Sequence, residues 1–127
     1  MAENMTLGAE GEQIAADFLT TQGMEIVERN WRSRNGEIDL IARDGHHLVF
    51  IEVKTRSGTG YGLPSEAVTA AKQRRIRMLA IEWLRSSGNY WQRIRFDVVS
   101  VLVHRGRNRG SEASGEQPVI EHIADAF

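Results

Sequence analysis

Hydrophobic and polar positions recur along this chain with two periods, and the switches between them outline its elements. From about Thr6 to Gln22, small and apolar residues return every three or four positions, at Gly8, Gly11, Ala15, Phe18 and Leu19. This predicts an amphipathic helix closed by Gly23, with Glu12 inside its inward stripe. Met24 to Trp31 has the mixed polarity of a first strand, and Ser33-Arg34-Asn35-Gly36 predicts a turn. Residues 37–43 and 48–55 are rich in Ile, Leu, Val and Phe and flank Asp44-Gly45, which predicts an antiparallel hairpin. Ser57 to Gly62 reads as a flexible loop bordering a site. Its glycines match no nucleotide-binding spacing.

Pro64-Ser65 opens a helical region extending to about Ser87, stopped by Gly88, with a register uncertainty near Thr69. Val68, Ala71, Ile76, Leu79, Ala80, Trp83 and Leu84 form its apolar stripe. Trp91 to Val103 predicts a strand buried on both sides, with Arg93, Arg95 and Asp97 along one face. Residues 104–117 contain almost nothing hydrophobic and predict a mobile loop. Pro118 to Ile123 predicts a last, edge strand. The expected order is α-β-β-β-α-β with a terminal strand added, an α/β arrangement in one domain spanning residues 1–127.

Charged side chains interrupt the apolar hairpin. Side chains alternate faces along a strand, so Glu37, Asp39, Glu52 and Lys54 share one face whenever the loop has an even length. A two-residue Asp44-Gly45 loop sets Asp39 opposite Phe50 and Glu37 opposite Glu52. A four-residue loop from Asp44 to His47 sets Asp39 opposite Glu52 and Glu37 opposite Lys54. Facing carboxylates repel, so the face calls for a cation, from Lys54 or from a metal ion. Taken alone, the four residues also fit the solvated face of an ordinary hairpin.

Composition narrows the chemistry. With no cysteine, disulfides, thiolate metal sites and cysteine nucleophiles are excluded. The net charge of -1 conceals a division: residues 54–109 carry 12 basic and 3 acidic side chains, between acidic flanks. A basic middle suits a polyanion such as nucleic acid, or a solvated helix face. Of the 16 basic residues only Lys54 and Lys72 are lysines. The first residues show no signal peptide and no segment reaches the length of a membrane span, so a cytoplasmic protein without membrane contact is expected.

The motifs Gly11-Glu12, Asn30-Trp31, Glu37-Ile38-Asp39-Leu40-Ile41, Phe50-Ile51-Glu52-Val53-Lys54-Thr55-Arg56 and Arg95-Phe96-Asp97-Val98 closely resemble the YraN-like family. That family belongs to the restriction-endonuclease-like nuclease superfamily and is similar to archaeal Holliday junction resolvases. The resemblance implies a restriction-endonuclease-like αβββαβ core with a mixed central sheet flanked by helices. It also implies that Asp39, Glu52 and the main-chain carbonyl of Val53 bind Mg²⁺ or Mn²⁺, that Glu12 completes the site, and that Lys54 orients or activates the attacking water. Lys72 and Gln73 fall where related nucleases place a helper. The usual Pro-Asp is Ile38-Asp39 here, as is normal for the YraN-like group. Homodimerisation is implied by analogy with resolvases alone.

Elementary chemistry agrees with that implication. Phosphodiester hydrolysis favours a hard cation held by oxygen ligands, and Arg56, on the parity of Lys54, extends the cationic surface toward a phosphate. Lys72, Arg74, Arg75 and Arg77 supply a basic helix face for a nucleic-acid backbone. The expected function is metal-dependent hydrolysis of DNA phosphodiester bonds, with branched or structured DNA as a candidate substrate. The alternatives are a nucleic-acid-binding module with no cleavage of its own and a protein-interaction domain.

Overall fold

The computed structural model describes residues 5–58, 68–88, 91, 93–104 and 117–127. Helix α1 (Leu7–Thr21) begins where the Thr6 hydroxyl accepts the Ala9 N–H at 3.0 Å, and it ends at Gln22, before Gly23 at φ +99. Its buried residues are Gly11, Ala15, Ala16 and Leu19. Gly8, expected inside, is exposed with open space where a side chain would stand, and Ala16 takes the inward role.

Strands β1 (Glu25–Ser33), β2 (Gly36–Asp44), β3 (His47–Ser57), β4 (Arg93–Val103) and β5 (Val119–Ile123) form one sheet in the order β1-β2-β3-β4-β5. The pairing is antiparallel except between β3 and β4, so the sheet is mixed. Helix α2 (Ala70–Ser87) provides the crossover between that parallel pair. The break expected near Thr69 is the start of the helix: the Thr69 hydroxyl accepts the Lys72 N–H at 3.1 Å. Pro64-Ser65, the loop glycines at 60 and 62, and residues 105–116 of the expected mobile loop lie outside the described residues.

Two apolar layers cover the sheet. Leu40, Ala42, Val49, Ile51, Val53, Val99 and Val101 meet Ala15, Ala16 and Leu19 of α1. Ile38, Ile41, Leu48, Phe50 and Phe96 meet Ile76, Leu79, Ala80 and Trp83 of α2. Ala71, expected in this stripe, is exposed. Trp83 crosses Phe50 edge-on at 5.9 Å and donates its indole N–H to Glu28 at 2.8 Å, fastening α2 to β1 as well.

The β2–β3 register is that of the four-residue alternative, extended by the pair Asp44↔His47 so that the loop itself is Gly45-His46, with Gly45 at φ +63. Parity does not carry through the whole hairpin, however. Leu40 and Ala42 face α1, whereas Ile38 faces α2, so the alternation inverts at Asp39. Strand β1 inverts at the same level: Arg29 reaches Gln13 of α1 at 3.0 Å, while Trp31 packs on the α2 side. Between them Asn30 has φ +49, a left-handed conformation that asparagine tolerates better than most residues. Asn30 and Asp39 are both missing from a ladder that otherwise runs Arg29↔Leu40 and Trp31↔Ile38. One flat charged face was expected; the ribbon instead turns over at Asp39.

Candidate active site

Where the ribbon turns over, β2 parts from β3. Ladder pairing between them runs from Asp44↔His47 to Leu40↔Ile51 and stops there. Asp39 Oδ2 takes over beyond that point, accepting the Val53 N–H at 2.8 Å. In an extended strand the N–H and C=O of one residue point to the same edge, so the Val53 carbonyl also turns toward Asp39. Asp39 and Glu52 are each only 8 % exposed.

Charge accumulates at this opening. Burial, then the neighbouring Glu52, and more weakly Glu12 and Glu37, push Asp39 up to about 7 despite the bond from Val53. Burial is also the chief cause that raises Glu12 above its ordinary value. The Asn30 side chain opposes it, Glu37 and Glu52 add to it, and Arg32 lowers it. Glu12, Glu37, Asp39 and Glu52 therefore form one interacting acidic group. Glu37 is also ion-paired with Arg32 at 2.9 Å on the rim.

Glu12 reaches the group because α1 lies unusually close to β3. A Cβ built at Gly11 would stand 2.0 Å from the Thr55 Oγ1, a distance no side chain tolerates. Only glycine permits this approach, and Glu12 is the next residue.

The predicted cations divide. Lys72, expected on a phosphate-binding face, reaches into the acidic group and places Nζ 2.8 Å from Glu52 Oε2. Lys54, expected to neutralise the carboxylates, is half-buried two residues beyond Glu52 and makes no ion pair among the described residues. Gln73, on the first turns of α2, donates its side-chain amide to the Val68 carbonyl at 3.2 Å. Arg74 and Arg75 are exposed on α2, with the Arg75 stem against Gly36, and Arg56 is half-buried. Arg77 lies over the rings of Phe96 and Phe127 at 5.0 and 5.5 Å, so its guanidinium also has a packing role.

A second polar centre lies on β4. Asp97, fully buried, receives Arg95 Nε and NH2 at 2.9 and 3.0 Å and the Asp125 N–H at 2.9 Å, and its Oδ2 is 2.7 Å from His122 Nε2. Arg95 also reaches Asp44 at 3.2 Å. Burial would raise Asp97, but the bonds from His122, Arg95 and Asp125 prevail and hold its carboxyl below the usual range. This network ties β5 and the last residues to the sheet, which accounts for Asp97 structurally.

Among the described residues, no group of three or more Asp, Glu or His side chains is placed to hold a metal ion. A hard cation does not need one, since Mg²⁺ retains several waters and binds one or two carboxylates. Asp39, Glu52 and the Val53 carbonyl are an all-oxygen set of that kind. The histidines stand apart: His46 and His47 are at the hairpin end, and His122 belongs to Asp97. One contributor to the site carried a signal that periodicity alone did not interpret, the asparagine within a strand at Asn30.

Fold and site together define an α/β protein whose mixed five-stranded sheet carries a buried acidic group where its hairpin opens. The chain belongs to the uncharacterised protein family UPF0102, whose model matches residues 11–101, in keeping with the YraN-like motifs. It is 61 % identical to a UPF0102 protein of Rhodococcus jostii over 127 residues, all of both chains. It is 52 % identical to one of Nocardia farcinica, covering all of this chain and 93 % of the relative. A Geobacter sulfurreducens member is 44 % identical, over 98 % of this chain and 90 % of its own. Among the described residues, no helix is long and apolar enough to cross a membrane.

Proposed function

We propose that this protein is a restriction-endonuclease-like, Mg²⁺- or Mn²⁺-dependent nuclease that hydrolyses DNA phosphodiester bonds, with branched or structured DNA among its substrates. The observation that carries this reading is the pair of carboxylates, Asp39 and Glu52, held 8 % exposed beside each other with Glu12 and Glu37 close enough to add to their repulsion. Keeping like charges together in a poorly solvated site is unfavourable, and a divalent cation offsets it. When bound, the cation would polarise a phosphoryl oxygen and stabilise the departing oxyanion.

The chain's own residues supply the rest. Asp39, fixed by the Val53 N–H, and Glu52 present oxygens from two strands, and Glu12 on α1 adds to the negative charge around them. Lys54, on the parity of Glu52, orients a water or a non-bridging phosphate oxygen. Arg74 and Arg75, exposed on α2, and Arg56 at the far end of β3 receive backbone phosphates.

The test is incubation of pure protein with branched, single-stranded and duplex DNA in Mg²⁺ or Mn²⁺. Cleavage that disappears in Asp39→Ala and Lys54→Ala is expected. Absence of cleavage from every substrate, or cleavage insensitive to both substitutions, refutes the assignment. The Glu52–Lys72 ion pair favours a second reading, a binding module whose acidic site is already neutralised. That reading predicts salt-sensitive DNA binding that is unchanged by Glu52→Ala and is never followed by cleavage.

A further inference from the structure

Both lysines of this chain flank Glu52, while the other fourteen basic residues are arginines. Lys54 lies two residues along the same strand, and Lys72 reaches Glu52 from α2. Lys72 is the third residue of α2, in a first turn that contains no acid. The helix dipole disfavours a cation there, so the position is not one that helix stability selects. Its side chain is 40 % exposed, that of its partner 9 %, and the contact is a single 2.8 Å approach. An arginine would grip the carboxylate through a rigid two-pronged fork, whereas an ammonium on a four-carbon stem is a point charge that exchanges partners readily.

We infer that Lys72 is a displaceable internal counter-ion. In the metal-free protein it holds Glu52, and when a divalent cation takes that carboxylate, Lys72 swings to a phosphate of the bound nucleic acid. The inference rests on the proposed metal-dependent reading. It adds a competition between Lys72 and the cation for one carboxylate, and it makes the contribution of Lys72 to DNA binding conditional on the cation.

Mn²⁺ binding to the full chain, measured by titration calorimetry and by the Mn²⁺-induced rise in melting temperature, tests the competition in wild type, Lys72→Met and Lys72→Arg. Removal of the competitor should tighten Mn²⁺ binding roughly two- to fivefold, the factor expected for a partly exposed ion pair. Lys72→Met should also melt lower than wild type without metal and show the larger rise with it. Lys72→Arg, which keeps the charge and hence the fold, should bind Mn²⁺ more weakly than wild type. With a short DNA duplex, Lys72→Met should lose affinity when Ca²⁺ is present and match wild type when all metal is chelated. Equal or weaker Mn²⁺ binding by Lys72→Met, stronger binding by Lys72→Arg, or a DNA defect of the same size with and without cation overturns the inference alone. A wild-type protein that binds no Mn²⁺ overturns the proposed metal dependence, and this inference with it.

Discussion

Asp39→Asn should make the metal-free protein more stable at pH 8, although it alters one of the two buried carboxylates of the acidic group. The Asp39 carboxyl rises from an ordinary value of 3.8 to about 7, chiefly through burial and Glu52. Between those values the folded chain binds more protons at this site than the unfolded chain. Stability therefore falls as pH climbs through that window and levels off above about 7. At about 1.4 kcal/mol for each pH unit, the raised value costs the folded state on the order of 4 kcal/mol at pH 8 and on the order of 2 at pH 5, relative to a group that ionises equally in both states. An asparagine cannot ionise, yet its side-chain oxygen can still accept the Val53 N–H that Asp39 accepts at 2.8 Å. The stability difference between the two proteins should thus move in favour of the variant by roughly 2–3 kcal/mol from pH 5 to pH 8. Urea unfolding at both pH values with a chelator present measures it. Adding Mn²⁺ at pH 8 should stabilise wild type and leave the variant unmoved. A difference that does not change with pH, or a variant less stable than wild type at pH 8, refutes the claim that buried charge at Asp39 is maintained against stability.

Other substitutions probe the supports of the site. Gly11→Ala drives a methyl group into Thr55 and should cost about 1–3 kcal/mol by thermal melting, with part of the loss recovered when Thr55→Ala is added. Asp97→Asn leaves Arg95 and His122 without their carboxylate and should destabilise by about 3–5 kcal/mol, with faster amide exchange in β5. Because the Asp97 carboxyl is held below its ordinary value, its contribution is present above that value and is lost as pH falls through the lowered one. The variant's melting temperature should accordingly depend less on pH in that acid range than the wild type's. Arg74→Ala and Arg75→Ala should each reduce the slope of log affinity against log salt for duplex DNA by about 0.9. Arg77→Ala should instead show itself mainly as a stability loss of about 0.5–1 kcal/mol, through its two ring contacts.

Much of the frame can be read from nearest-neighbour chemistry. Thr6 and Gly23 bracket the first helix, Gly88 at φ +74 ends the second, and Asp44-Gly45 marks the hairpin, because caps and turns depend on residues close in sequence. The parallel β3–β4 pair follows from the intervening helix, and the apolar runs of both strands match their burial on two faces. Strand parity grouped Asp39, Glu52 and Lys54, the family resemblance added Glu12, and Glu12, Asp39 and Glu52 do influence one another across the fold. Strict alternation of faces breaks at one point, where the left-handed Asn30 turns the ribbon over beside Asp39.

The period of two along a strand and the recurrence of three and four in a helix are local properties, and so elements and their apolar faces were legible in the chain of residues. Which polar groups meet depends on how those faces dock, a matter of packing between segments distant in sequence. Docking brings Lys72 onto Glu52, lets Asp39 replace a ladder bond at Val53, and leaves Arg95 and His122 gathered on Asp97. Each of these contacts is short-ranged and directional, so no pattern along the chain encodes it until the helices are seated on the sheet.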